Sequence, residues 1–212
     1  MKLLEKFIKD ELNLNPAIYS DKFLFYEKLI LERNKEINLV SRQLASIENQ
    51  ILNSVFFISS YRIPDKSKIV DVGTGGGFPG IPLKILNENI YLLLLDSITK
   101  KINVVSDIVS KLNLKNTEII CGRAEDISKK VKFKNNYDFV ISKSVAALDR
   151  LYNWGNNFLK PNGKMLCIKG GDIKDEIKKL RQKVKSIKTE IISYRFDKVY
   201  KIEDKKLVII YK

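Results

Sequence analysis

Two rhythms divide the chain. Up to about Ile63 apolar residues recur at helical intervals. Phe23, Phe25, Tyr26, Leu29 and Ile30 make a broad apolar surface on a predicted helix that Asp21 can cap and that runs through Leu31 and beyond. Ile47, Ile51, Leu52, Val55 and Phe56 mark a second helix, and Pro64-Asp65-Lys66-Ser67 forms a turn-rich boundary. After it, short apolar runs alternate with helical spacing. Lys68–Val72, Tyr91–Leu95 (ending at Asp96), Thr117–Cys121, Tyr137–Ile141 and Lys164–Ile168 predict five strands, with Ile102, Val105, Ile108, Val109 and Leu112 on a helix between the second and third. Strands apolar on both faces and interleaved with helices require a parallel sheet covered on both sides. A helix from Asp172 carries Ile173, Ile177, Leu180, Val184 and Ile187 on one stripe and lysines on the other. Ile191–Phe196 and Leu207–Tyr211 then leave no room for a helix between them, so they are expected to pair as a hairpin. The expectation is an α/β doubly wound sheet, mostly parallel with an antiparallel C-terminal strand. Residues 1–63 form an N-terminal helical cap and 64–212 the main domain.

The first strand opens into Gly73-Thr74-Gly75-Gly76-Gly77-Phe78-Pro79-Gly80. Residues without a Cβ let a backbone approach a ligand closely, and Pro79 suits the first turn of a following helix. Strand, glycine turn and helix N-terminus together hold nucleotide-like cofactors in α/β proteins. Gly75, Gly77 and Gly80 satisfy the dinucleotide pattern G-x-G-x-x-G. Asp71, Gly73, Gly75 and Gly77 equally satisfy the D-x-G-x-G-x-G of S-adenosylmethionine-dependent methyltransferases. An NAD-dependent oxidoreductase and a methyltransferase are therefore both open on the glycines alone. The C-terminal hairpin favours the methyltransferase variant of the fold, because a dehydrogenase continues with another helix-linked parallel strand.

Further residues fill out a cofactor site. Asp96 closes the second strand where an acid meets a ribose hydroxyl pair, and its carboxylate can accept from both hydroxyls; it can also cap the next helix. Gly122-Arg123-Ala124-Glu125-Asp126, after the third strand, places Ala124 and Glu125 to flank an adenine. Phe78 can pack against the ligand or against the core. After the fourth strand comes Ser142-Lys143-Ser144. The chain has no Asn-Pro-Pro-Tyr-type tetrapeptide, no cysteine placed to attack a pyrimidine and no histidine. Imidazole general-base catalysis is thereby excluded. What remains suits an acceptor already unprotonated, such as guanine N7, for which alignment matters more than proton removal.

Composition adds a partner class. The 212 residues carry a net charge of +14, which fits a polyanion such as RNA as well as a lysine-rich composition. No apolar run approaches membrane-spanning length and the start lacks a secretory layout, so a cytoplasmic protein is expected. Cys121 and Cys167 both lie in apolar runs and read as reduced core residues, with no metal site expected.

In order along the chain, the Gly-Phe-Pro-Gly-Ile-Pro block, Leu95-Asp96-Ser97 with Lys100-Lys101, Gly122-Arg123-Ala124-Glu125, Tyr137-Asp138, Leu159-Lys160-Pro161-Asn162-Gly163 and Ile168-Lys169-Gly170 resemble the bacterial 16S ribosomal RNA guanine-N7 methyltransferases, also called glucose-inhibited division protein B. Arg33-Asn34-Lys35 and Ile37-Asn38-Leu39 resemble that family's helical cap. The resemblance implies S-adenosylmethionine as cofactor, with contacts at Gly73, Phe78, Ala124 and Glu125. It implies 16S ribosomal RNA or the small subunit as partner, and a monomer is expected. The Gly loop with Gly75 and Gly77 would take the methionine end, and Lys143 would lie between cofactor and substrate as the candidate catalytic residue. This chain has Ser142-Lys143-Ser144 where the family has Ser-Arg-Ala, and Gln50-Ile51-Leu52-Asn53-Ser54 where it has His-Ile-Leu-Asp-Ser. Lysine keeps the charge of arginine but not its planar fork. A non-catalytic RNA-binding factor on the same scaffold is the remaining alternative.

Overall fold

In a computed structural model, residues 1–41, 44–194, 198–200, 202 and 204–212 are described. Seven strands form one sheet: β1 (Lys68–Val72), β2 (Tyr91–Asp96), β3 (Thr117–Cys121), β4 (Tyr137–Lys143), β5 (Leu159–Gly170), β6 (Thr189–Ser193) and β7 (Lys205–Tyr211). Their spatial order is β3-β2-β1-β4-β5-β7-β6. The first five strands are parallel, and β7 runs antiparallel between β5 and β6. The expected C-terminal pairing is therefore present, with β7 inserted inside the edge. Phe196, where the predicted strand ended, lies outside the described residues.

The helices are α1 (Lys2–Asp10), α2 (Ser20–Asn34), α3 (Glu48–Val55), α4 (Gly80–Leu86), α5 (Thr99–Lys111), α6 (Ala124–Ile127), α7 (Leu148–Gly155) and α8 (Lys174–Lys183). Asp21 lies inside the first turn of α2 rather than at its cap, where Tyr19 stands. Pro79 stands immediately before α4 as its N-cap residue. Helix α8 ends at Lys183, one residue short of Val184, so Val184 and Ile187 pack against the core from beyond the helix. Strand β5 starts earlier than its apolar run because Leu159 pairs with Tyr137, and Lys164 resumes opposite Phe139 after a register shift.

One core runs without a break from the N-terminal helices onto the sheet. Phe7, Phe23, Tyr26, Ile30, Ile51 and Phe57 belong to the same buried cluster as Ile69, Leu94, Ile141 and Ile209. A second cluster covers the opposite face through Val70, Leu93, Val140, Leu151, Phe158 and Leu180. Strand β3 departs from the both-faces-buried expectation. It is the sheet edge, so it is only half covered, and Cys121 is exposed whereas Cys167 is buried. Both cysteines are free. No helix among the described residues is long and apolar enough to cross a membrane.

Candidate functional site

The strand order reverses direction at β1: the chain moves outward through β2 and β3, then returns to place β4 on the other side. Such a switch point opens a crevice at the carboxyl ends of the strands. Here it is a cleft of about 540 Å³. Gly73 and Gly75 follow β1, Asp96 ends β2, Ala124 and Glu125 follow β3, and Lys143 ends β4; all of them line the cleft, as does Phe78.

The glycines differ in what they do. Gly73, Gly75 and Gly77 all have positive φ, at 73°, 58° and 99°, a region costly for residues with a Cβ. A Cβ on Gly75 would meet nothing nearer than the Gly73 carbonyl oxygen at 4.0 Å, so this position stands open to the cleft. A Cβ on Gly73 would lie 2.7 Å from Val145 Cγ1. A Cβ on Gly77 would lie 2.4 Å from Ile81 Cδ1, and Gly77 does not line the cleft. Gly77 thus serves the packing of the loop onto α4, while Gly75 leaves room for a ligand.

Two carboxylates brace the loop. Asp71 is fully buried, and its Oδ2 accepts from Thr74 Oγ1 at 2.7 Å and from Gly80 N at 2.9 Å. The acid before the glycines therefore clamps both ends of the turn and does not reach the cleft. Burial pushes its carboxyl up to about 7; the bonds from Thr74 and Gly80 and the Lys143 charge pull the other way. Its Oδ1 has no hydrogen-bond partner. Asp96 accepts from Gly75 N at 2.9 Å through Oδ2 and from Ile98 N at 3.0 Å through Oδ1. Each oxygen keeps a second acceptor site for a ligand hydroxyl. Ala124 opens α6, so its N–H has no acceptor within the helix.

Lys143 lines the cleft where β4 ends. Its Nζ lies 4.6 Å from the centroid of the Phe78 ring and 3.5 Å from the Gln50 carbonyl oxygen. Burial lowers its ammonium to about 8; the Asp71 charge raises it and Lys205 lowers it further. Phe78 lines the cleft and makes the expected core contact, packing on Tyr26 with ring centroids 5.4 Å apart.

The N-terminal residues supply a wall that the motifs did not reveal. Leu39, Val40, Ser41 and Gln50 line the cleft. Buried Asn34 holds this wall: its Oδ1 accepts from Leu39 N at 2.8 Å and Val40 N at 3.0 Å, and its Nδ2 donates to Ser41 O at 3.3 Å. Tyr26 donates to the Gly76 carbonyl at 2.9 Å, tying α2 to the glycine loop. The sequence signals near this wall were the Arg33-Asn34-Lys35, Ile37-Asn38-Leu39 and Gln50–Ser54 blocks, none of which showed that these residues meet at the cleft. Val145, Ile98 and Trp154 also line the cleft and carried no sequence signal.

Sheet order, crevice and loop define a methyltransferase of the doubly wound, S-adenosylmethionine-dependent class. Residues 20–205 match the family described as rRNA small subunit methyltransferase G. The ribosomal RNA small subunit methyltransferase G of Thermoanaerobacter sp. (strain X514) is 36% identical over 173 residues, covering 81% of this chain and 72% of that protein. The protein of the same name from Mycoplasma capricolum subsp. capricolum is 37% identical, covering 82% and 74%. A crystal structure of a SAM-dependent methyltransferase from Aquifex aeolicus shares the fold with a TM-score of 0.57 at 15% identity, over 78% of this chain and 92% of that one. The chain belongs to the rRNA small subunit methyltransferase G family.

Proposed function

We propose that this chain transfers a methyl group from S-adenosylmethionine to N7 of a guanine in 16S ribosomal RNA, acting as a cytoplasmic monomer without a metal. The observation that carries the reading is the pairing of an open Gly75 with the Asp96 carboxylate in the same cleft as Lys143. In this reading the backbone at Gly73 and Gly75 takes the methionine end and Asp96 accepts from the ribose hydroxyls. The N–H of Ala124 and the side chain of Glu125 flank the adenine, and Phe78 gives an apolar wall. When bound, S-adenosylmethionine supplies an electrophilic methyl group that a ring nitrogen with a free lone pair accepts without losing a proton. A chain with no histidine therefore lacks nothing the reaction needs. Lys143, next to Phe78, orients the base or opposes an anionic group. Residues 1–63 act as the cap whose 39–41 stretch closes one side of the site. The target base must leave its stack to reach a cleft of this kind.

The test incubates the protein and labelled S-adenosylmethionine with the cell's own small-subunit RNA, naked and in assembled subunits, and maps the product by mass. N7-methylguanine at one position is expected. RNA binding without any transfer would instead favour an assembly factor, and binding of a nicotinamide cofactor an oxidoreductase.

A further inference from the structure

Helix α8 and edge strand β6 enclose a second groove, well outside the cleft. Lys174, Lys178 and Arg181 line it from α8, and Thr189 and Ile191 from β6. The three cations stand at i, i+4 and i+7, one helical face, spanning about 10 Å along the axis. No Asp or Glu is among the described residues lining the groove.

Two neighbouring cations, Lys183 at the end of α8 and Lys169 on β5, are treated differently. Lys183 pairs with Asp149 at 2.5 Å, and Lys169, held against the sheet, pairs with Glu176 at 2.8 Å. In the groove, among the described residues, Arg181 donates to the neutral Thr189 hydroxyl at 3.0 Å, and Lys174 reaches Asp172 at 4.0 Å, with both of those side chains exposed. Glu190, the acid nearest in sequence on β6, accepts from Tyr211 Oη. A groove lined by charges of one sign, with only a neutral acceptor described against them, concentrates ions of the opposite sign.

One end of α8 is tied to the rim of the cleft. Glu176 in the first turn of α8 accepts from Leu148 N at 3.0 Å, and its partner Lys169 donates to Ala146 O at 3.0 Å. These bonds join the Lys174 end of α8 to the 144–147 loop, whose Ser144 and Val145 line the cleft next to Lys143.

We propose that the α8–β6 groove holds the sugar-phosphate backbone of the substrate RNA beside its target base, with Lys174, Lys178 and Arg181 on phosphates and Ile191 against ribose. This rests on the reading of an RNA substrate given above. Backbone contacts of this kind position a nucleic acid without reading its sequence.

The test compares K178E/R181E with the unaltered protein, using small subunits and a fragment of their RNA. Both residues are on the surface of α8, and thermal melting checks the fold. The KM for subunits is expected to rise tenfold or more, with kcat at saturating subunits and S-adenosylmethionine affinity within twofold. The neutral variant K178Q/R181Q should flatten the dependence of log K on log salt by about 1.5, at roughly 0.7–0.9 per lost cation. Reversing Lys115 and Lys129, exposed near the β3 edge, should move KM far less. An unchanged KM and salt slope in K178E/R181E, or an equal effect from the control pair, overturns the groove. Should the unaltered protein fail to methylate either substrate, the functional reading falls instead. Direct binding of the RNA fragment then decides: weaker binding by K178E/R181E upholds the groove. Equal binding, as expected if the groove takes an acidic protein, overturns it.

Discussion

Val145 fills the space that a side chain on Gly73 would need, its Cγ1 lying 2.7 Å from the ideal Cβ position. The loop after β4 is thereby seated directly on the loop after β1. Gly73→Ala should destabilise the protein by about 1–3 kcal/mol through overpacking and strained backbone, and weaken S-adenosylmethionine binding. Adding Val145→Ala should return part of the lost stability, measured as a coupling energy in a double-mutant cycle by urea unfolding. Strict additivity would refute the contact.

Gly75 and Gly77 should separate binding from folding. Gly75→Ala places a methyl in open cleft space, so it should lower cofactor affinity by tenfold or more at a stability cost of about 1–2 kcal/mol. Gly77→Ala forces a carbon to within 2.4 Å of Ile81 Cδ1, so it should lose more stability than Gly75→Ala. Calorimetric titration with S-adenosylmethionine beside thermal melts tests the order, and the reverse order would assign the ligand-facing role to the wrong glycine.

Asn34 holds the cap wall through Leu39 N, Val40 N and Ser41 O. Asn34→Ala leaves two backbone donors without their acceptor, at about 1–3 kcal/mol. It should also raise the KM for S-adenosylmethionine, since Leu39, Val40 and Ser41 line the cleft. Hydrogen exchange at Leu39 and Val40 should accelerate in the variant. Unaltered protection there would mean that the wall stands without Asn34.

Lys143 gives the reaction a pH signature. With its ammonium lowered to about 8 by burial, the charge at the acceptor end is lost as pH rises through that value. Methyl transfer should decline above about pH 8, and Lys143→Arg should extend the plateau upward because guanidinium stays charged. Identical profiles of kcat/KM for the two proteins would remove Lys143 from the charged role.

Asp71 makes a stability signature of opposite origin. Its carboxyl is raised from 3.8 to about 7 by burial, so between those values the folded state keeps a proton that the unfolded state has lost. Stability contributed by this group is present below about pH 4 and falls as pH rises to about 7, by up to roughly 1.4 kcal/mol per pH unit. Asp71→Asn should remove that slope from urea unfolding measured across the interval. A parallel slope in the variant would place the titration elsewhere.

The sequence by itself determined what burial and backbone conformation impose locally. Both-face apolar runs marked β1, β2 and β4, since a strand covered by helices on two sides buries successive residues along most of its length. The glycine block announced a tight turn whose backbone a ligand can approach closely, and Asp96 could be placed at a strand end because an acid closed an apolar run. Only the tertiary structure decided which neighbour fills each space. It showed that Asp71 clamps the turn from within and that Gly77 serves Ile81. It placed Val145 against Gly73 and brought the Asn34 loop over the cleft from residues far away in sequence. It also set β7 between β5 and β6, and left Cys121 exposed because β3 has no outer neighbour. Polarity and periodicity record how much of a residue is buried, whereas packing partners depend on strand order, which no local pattern contains.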